Sequence, residues 1–195
     1  RSRRHPGGAC CATGRRPSTH GIGLEEAGVR LDEVGAVVVD ADDRTSVPHI
    51  YAIGDVTSAP NLTPVATAMG HALADRLFGG SERHVDLTYV PTAIFSMPPV
   101  ATVGLSEVDA IEKGIAIDVY KTDFRPLKHI LSERSQRTFM KLVVRRDDDR
   151  VIGCHMVGDD AGEIMQGFAV AMNAGATKAV FDATIGIQPT AAEEF

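Results

Sequence analysis

The sequence predicts an α/β segment followed by an α+β layer, and three observations carry that prediction. Before residue 81, two short β-branched runs, apolar on both faces, precede one long helical pattern. A polar stretch at residues 81–86 then interrupts the chain. Beyond it, five strand-like runs follow in sequence with most of the helical pattern gathered at the end, which is how α+β layers read.

Taken in order, residues 1–11 (RSRRHPGGACC) stand apart, because Pro6, Gly7 and Gly8 break any regular element and no apolar period appears. Residues 36–40 (AVVVD) and 50–53 (IYAI) read as buried strands. A helix is expected from Pro64 to Phe78, with Thr63 as N-cap, Pro64 at the first helical position and Gly79-Gly80 as terminator. Val65, Met69, Ala72 and Leu73 give it one apolar face. Past the polar stretch, strands are expected at residues 93–95, 101–104, 117–121, 139–144 and 151–156. Residues 146–150 (RDDDR) read as a hairpin turn. Helices are expected at 106–113, capped by Ser106, then at 161–173 and 177–182.

Composition excludes several functions. A net charge of −6 argues against general nucleic-acid binding, which needs a surplus of Lys and Arg. No apolar run approaches the roughly 20 residues that span a bilayer. Three cysteines, two of them adjacent, make no disulfide framework, so a reducing cytoplasm is the expected location. The absence of CxxC and HxxxH spacings gives zinc no support. The chain does not start with Met, and residues 1–11 read as foreign or frameshifted sequence joined to a fragment.

Chemistry concentrates in residues 45–66 (TSVPHIYAIGDVTSAPNLTPVA). A short apolar run ending in Gly54-Asp55 puts a carboxylate where open α/β sheets bind ligands. Gly54 permits close approach, and Asp55 can accept hydrogen bonds from hydroxyl groups. A helix opening near Thr63-Pro64 offers free N–H groups and the positive end of a macrodipole to a group that is, or becomes, negative.

This segment resembles the second FAD-binding motif of the pyridine nucleotide-disulfide oxidoreductases. The resemblance implies that Asp55, next to the cofactor-binding Gly54, holds the ribityl chain of FAD and that Leu62, Thr63 and Pro64 face the flavin pyrimidine edge, where the helix dipole stabilises the anionic reduced flavin. Residues 12–19 (ATGRRPST) are similar to the end of the family's NADPH-binding domain. Residues 91–105 (PTAIFSMPPVATVGL) resemble the opening of its interface domain, and residues 162–195 its end. That last stretch, with residues 124–131 (FRPLKHIL), is more similar to glutathione reductases than to lipoamide dehydrogenases or mercuric reductases. The resemblance therefore implies an α/β remnant of the FAD/NAD(P)-binding domains at 12–83. An α+β dimerisation domain with antiparallel sheet follows at 84–195, cut short at its C-terminus. It further implies FAD and NADP as cofactors, a homodimer, and glutathione disulfide as substrate of the parent protein.

The chain departs from the family at its C-terminal signature. Where the family carries His-Pro-Thr and a later Glu, this sequence reads Gln188-Pro189-Thr190-Ala191-Ala192-Glu193. The resemblance gives Gln188 the place of the histidine that completes the partner subunit's active site, with Glu193 as its orienting carboxylate. A glutamine amide has no titratable proton, so it cannot serve as general acid. The redox CxxxxC motif and the GxGxxG fingerprint are also missing from these 195 residues, and Cys10-Cys11 has the wrong spacing to replace the former. The expectation is a fragment inactive alone; a non-enzymatic dimerisation module or an inactive paralogue are the alternatives.

Six further positions invite a role. His71 and Glu194 correspond to places where the family approaches its substrate; a surface partner of Asp75 and a solvated carboxylate are their ordinary readings. Lys128 and His129 read as a substrate rim or a solvated loop. Cys154 and His155 read as a buried thiol and a core or interface imidazole.

Overall fold

The computed structural model describes residues 14–130, 132 and 134–195. The atypical segment 1–11, with Cys10 and Cys11, lies outside them, as does the start of the 12–19 stretch. The chain divides into two compact units, the first ending at Val85 and the second running Asp86–Phe195.

In the first unit the β-branched runs do not become strands. Each makes one isolated bridge, Leu31 to Val37 and Arg44 to Tyr51. The physical reason is local competition, because short acidic side chains offer the backbone an alternative to a ladder. Asp32 Oδ1 accepts the Val34 and Ala36 N–H groups at 2.9 and 2.8 Å. Asp40 Oδ1 accepts those of Asp42 and Arg44, each at 2.9 Å. These interactions close turns where a second extended segment would have to begin. The unit's one long helix, α1 (Thr63–Phe78), buries Val65, Met69 and Ala72, the face that the apolar spacing selects. It ends on Gly79 and on Gly80 at φ 64°, whose successor Ser81 donates back to the Asp75 carbonyl.

The second unit is a five-stranded sheet of order β1-β2-β5-β4-β3, antiparallel throughout. Its strands are β1 (Thr92–Ile94), β2 (Val100–Gly104), β3 (Ile117–Phe124), β4 (Thr138–Arg145) and β5 (Val151–Val157). Helix α2 (Glu107–Glu112) follows β2 and starts in a capping box. Ser106 Oγ accepts the Asp109 N–H at 3.1 Å while the Asp109 carboxylate accepts the Ser106 N–H, so the cap is Ser106 as the sequence reading has it. Helices α3 (Ala161–Asn173) and α4 (Lys178–Ala183) complete the unit. The 146–150 turn is also where expected; the Asp149 carboxylate accepts the Ala179 N–H at 2.9 Å and so caps α4.

The central strands of the sheet are covered on both faces. On one, Met140, Leu142, Cys154 and Met156 pack with Met165, Ala169 and Met172 of α3, and Phe168, Phe181 and Phe195 close the periphery. On the other, Ala110 of α2 meets Val143 and Ile152. No helix among the described residues is long and apolar enough to cross a membrane.

Candidate functional site

Gly54 opens a single 3-10 turn, Gly54–Val56, that packs against α1. Its φ of 67° lies in the left-handed region, and a Cβ built there would sit 2.7 Å from Ala66 Cβ on the first turns of α1. Only glycine satisfies both conditions. Thr57 fixes the turn from behind, since its N–H and hydroxyl both donate to the Gly54 carbonyl, at 2.9 and 2.7 Å. Asp55 in the middle is exposed, and its carboxylate makes no hydrogen bond among the described residues.

The start of α1 corrects the sequence reading by one residue. Leu62 is the N-cap in extended conformation, and Thr63 is already helical with Pro64 behind it. Leucine has no side-chain acceptor, so no side chain caps this helix. The first intrahelical bond runs from the Ala66 N–H to the Leu62 carbonyl at 3.1 Å. The Thr63 and Val65 N–H groups have no acceptor among the described residues, and no acidic residue occupies the first turn. An exposed carboxylate and an uncapped helix N-terminus thus lie on neighbouring elements that Gly54 lets pack closely through Ala66. Together they form an acceptor for hydroxyls beside a donor for a negative group.

His71 lies exposed on the same helix and does not pair with Asp75, which instead binds Arg83 at 3.3 Å.

The second unit holds a separate cavity of about 560 Å³. Residues 126–128 form one rim, Asp160 and Ile164 a second, and residues 184–187 with 189–193 the wall. Two segments quoted for their sequence, 124–131 and 162–195, therefore meet around one space. Glu193 faces it and presses against Gly186, where a Cβ would come within 2.7 Å of Glu193 Cβ. Gln188 is exposed in the same segment but does not line the cavity, and it makes no hydrogen bond to Glu193 among the described residues. Ile185 and Ile187 beside it are 94% and 76% exposed, an apolar edge on a segment, 182–190, that is exposed throughout. Glu194 is exposed on the short terminal turn Ala192–Glu194.

Cys154 and His155 follow their structural readings. Cys154 is fully buried, and burial pushes its thiol far above the ordinary range. His155 Nε2 donates to the Leu105 carbonyl at 3.1 Å, and Nδ1 accepts from the Thr102 hydroxyl at 2.5 Å. This pairing suits the neutral ring, and desolvation holds the imidazole below its usual value. No group of three metal-ligating side chains occurs among the described residues.

Sequence reasoning missed two features. Arg76 clamps the first unit: its guanidinium donates to the Asp43 carboxylate, to the Asp42 carbonyl at 3.0 Å and to the Arg83 carbonyl at 2.8 Å. Asp159 and Asp160 each lie 3.4 Å from Lys128 Nζ. The helical period hides the first because Arg76 sits among surface positions. A clue to the second lay in Lys128, the one cation on the cavity rim.

Comparison with known proteins defines the class. Residues 90–195 match the dimerisation domain of the pyridine nucleotide-disulphide oxidoreductases, and residues 7–70 match the pyridine nucleotide-disulphide oxidoreductase domain. The chain belongs to this family. It is 53% identical over 184 residues to a glutathione reductase of Burkholderia cepacia, and 52% identical over 184 residues to a chloroplastic/mitochondrial glutathione reductase of Pisum sativum. Each alignment takes in 94% of this chain but only 41% and 33% of the relative, so the chain spans less than half their length. The fold is similar to that of the HOCl-induced flavoprotein disulfide reductase RclA from Escherichia coli. The TM-score is 0.81 at 29% identity, covering 94% of this chain and 42% of that one.

Proposed function

We propose that this chain is part of an NADPH-dependent FAD flavoprotein that reduces glutathione disulfide. The observation that carries the reading is the identity above one half, over nearly the whole chain, to two proteins named glutathione reductase. The 12–83 segment supplies part of the cofactor-binding region and the 84–195 segment the dimerisation domain. The cytoplasm is the proposed location, although one relative is chloroplastic/mitochondrial.

The residues present fit a flavin. The unpaired Asp55 carboxylate and the uncapped start of α1, held together by the packing of Gly54 against Ala66, match a ligand with hydroxyls and an electron-rich ring edge. In this reading Asp55, next to Gly54, holds the sugar-like chain, while Leu62, Thr63 and Pro64 present the helix dipole to the ring. FAD supplies hydride acceptance from NADPH and electron delivery to a dithiol. The chain's own contribution is to orient the cofactor and to stabilise negative charge next to the helix start.

In the homodimer, the segment carrying Gln188 and Glu193 faces the partner's active site. Glu193 supplies a carboxylate held in place by its contact with Gly186. Gln188 can donate and accept hydrogen bonds to orient a disulfide but cannot protonate a leaving thiolate. His71 and Glu194 are proposed substrate contacts at the margins. Assay of the full-length protein for NADPH oxidation dependent on glutathione disulfide tests the reading. Turnover with bound FAD supports it, and a colourless protein that dimerises without turnover supports the second reading, a dimerisation module or inactive paralogue. Gln188 is the residue that favours the second.

A further inference from the structure

Two ion-pair partners in the first unit are nearly hidden from solvent: the side chains of Arg76 and Asp43 are 11% and 13% exposed. Arg76 stands in the last turn of α1, and its guanidinium donates to the Asp43 carboxylate and, at 3.0 Å, to the Asp42 carbonyl. Asp43 sits at φ 64°, a left-handed conformation that a residue other than glycine keeps when its surroundings impose it. In that conformation its carbonyl accepts the Ala52 N–H at 3.0 Å.

Ala52, Ile53 and Gly54 lead to Asp55, and they meet α1 in reverse order. Ala52 is tied through Asp43 to Arg76, near the C-terminal end of the helix. Ile53 reaches the middle, where a Cβ built on Gly70 would come within 3.3 Å of Ile53 Cδ1. Gly54 lies on Ala66, near the N-terminal end. The last two contacts are apolar and non-directional, so they set how closely the segment approaches the helix more than where it lies along it. The bond at Arg76 is different. It is directional and charge-assisted, and shielding from solvent strengthens it.

We propose that Arg76 and Asp43 are positioning residues for the Gly54-Asp55 turn. The pair sets where residues 52–55 lie along α1 and so holds the Asp55 carboxylate toward the helix start. Arg76 acts through Asp43, Ala52 and Gly54. Its value for cofactor binding rests on the flavin reading above; the relay within the unit does not.

The variant Asp43→Asn tests the pair with little other disturbance, because asparagine tolerates the left-handed turn and keeps the side chain's size without its charge. In the full-length protein the FAD dissociation constant is expected to rise about tenfold. In an Asp55→Ala background the same substitution is expected to change it by less than about twofold, since nothing is left to position. An unchanged constant in Asp43→Asn, or an equal factor in both backgrounds, overturns the proposal. In the 195-residue chain, amide exchange in Asp43→Asn is expected to be about tenfold faster at Ala52 and Thr57, with Met69 and Ala72 unmoved. A clamp that serves only to end α1 would speed exchange in its last turn and leave Ala52 as it was, and that pattern overturns the relay. Should Asp43→Asn fail to fold, seen as lost protection at Met69 and Ala72, Arg76→Lys decides on the same readouts, because lysine keeps the charge without the planar fork. A full-length wild type that binds no FAD overturns the flavin reading, and amide exchange then decides the relay by itself, so the two failures are distinguishable.

Discussion

The two units pair their backbone groups in opposite ways. Up to Val85 the work falls to side chains: Asp32 and Asp40 close turns, Thr57 braces the Gly54 turn, and Arg76 gathers two carbonyls and a carboxylate. From Asp86 onward it falls to strand ladders with apolar layers on both faces. The lesson is that a unit without strand ladders can be specified residue by residue, whereas a sheet domain is specified by its layers. Damage should therefore stay local and particular in the first unit and become cooperative in the second.

Four changes sharpen or break that comparison. The largest effect is expected from Met156→Ala, which opens a cavity under α3. A loss of about 2–5 kcal/mol in denaturant unfolding, shared by every probe in the second unit, is the prediction. Strand-by-strand melting would break it. Gly54→Ala comes next, because its Cβ clashes with Ala66 in a left-handed backbone. A cost of about 1–3 kcal/mol is expected, read by hydrogen exchange at residues 54–57 and α1, with the sheet amides unmoved.

The third is a pH effect. The His155 imidazole is held below its usual value in the folded state, so the unfolded chain takes up the proton first. Stability of the second unit is fully present above pH of about 6.5 and declines as pH falls below it toward the folded value. Melting scans of wild type and His155→Gln across that window should show the decline only in wild type. Smallest is Glu107→Gln. Lys121 and Lys141 are cross-strand partners, and Glu107 binds both, at 2.9 and 3.0 Å. Removing its charge leaves like charges opposed, at a cost of about 0.5 kcal/mol that added salt should shrink.

The same contrast explains what the sequence made legible. In the second unit strands and helices fall within a few residues of the alternation and caps that signal them, because long apolar runs and Ser106 act without help from distant residues. In the first, β-branched runs read as strands, but the Asp side chains flanking them decide the backbone's partners. The helix start was displaced by one residue for a related reason: Thr63 looks like a cap, yet Leu62 holds the extended conformation. Of the site, Gly54, Asp55 and the helix opening were legible as a motif. The packing of Glu193 on Gly186 and the Asp159–Lys128 contact were not, since both join residues distant in sequence or hidden in loops.

The central claim is that Gln188 occupies the position of a general acid in a glutathione-disulfide reductase. Its most direct test is Gln188→His in the full-length protein, with kcat for glutathione disulfide measured against pH. The claim predicts a gain on the order of 10²–10⁴ in kcat, with a new ionisation in the imidazole range. Turnover that is unchanged, in a variant that still binds FAD and dimerises, would contradict it.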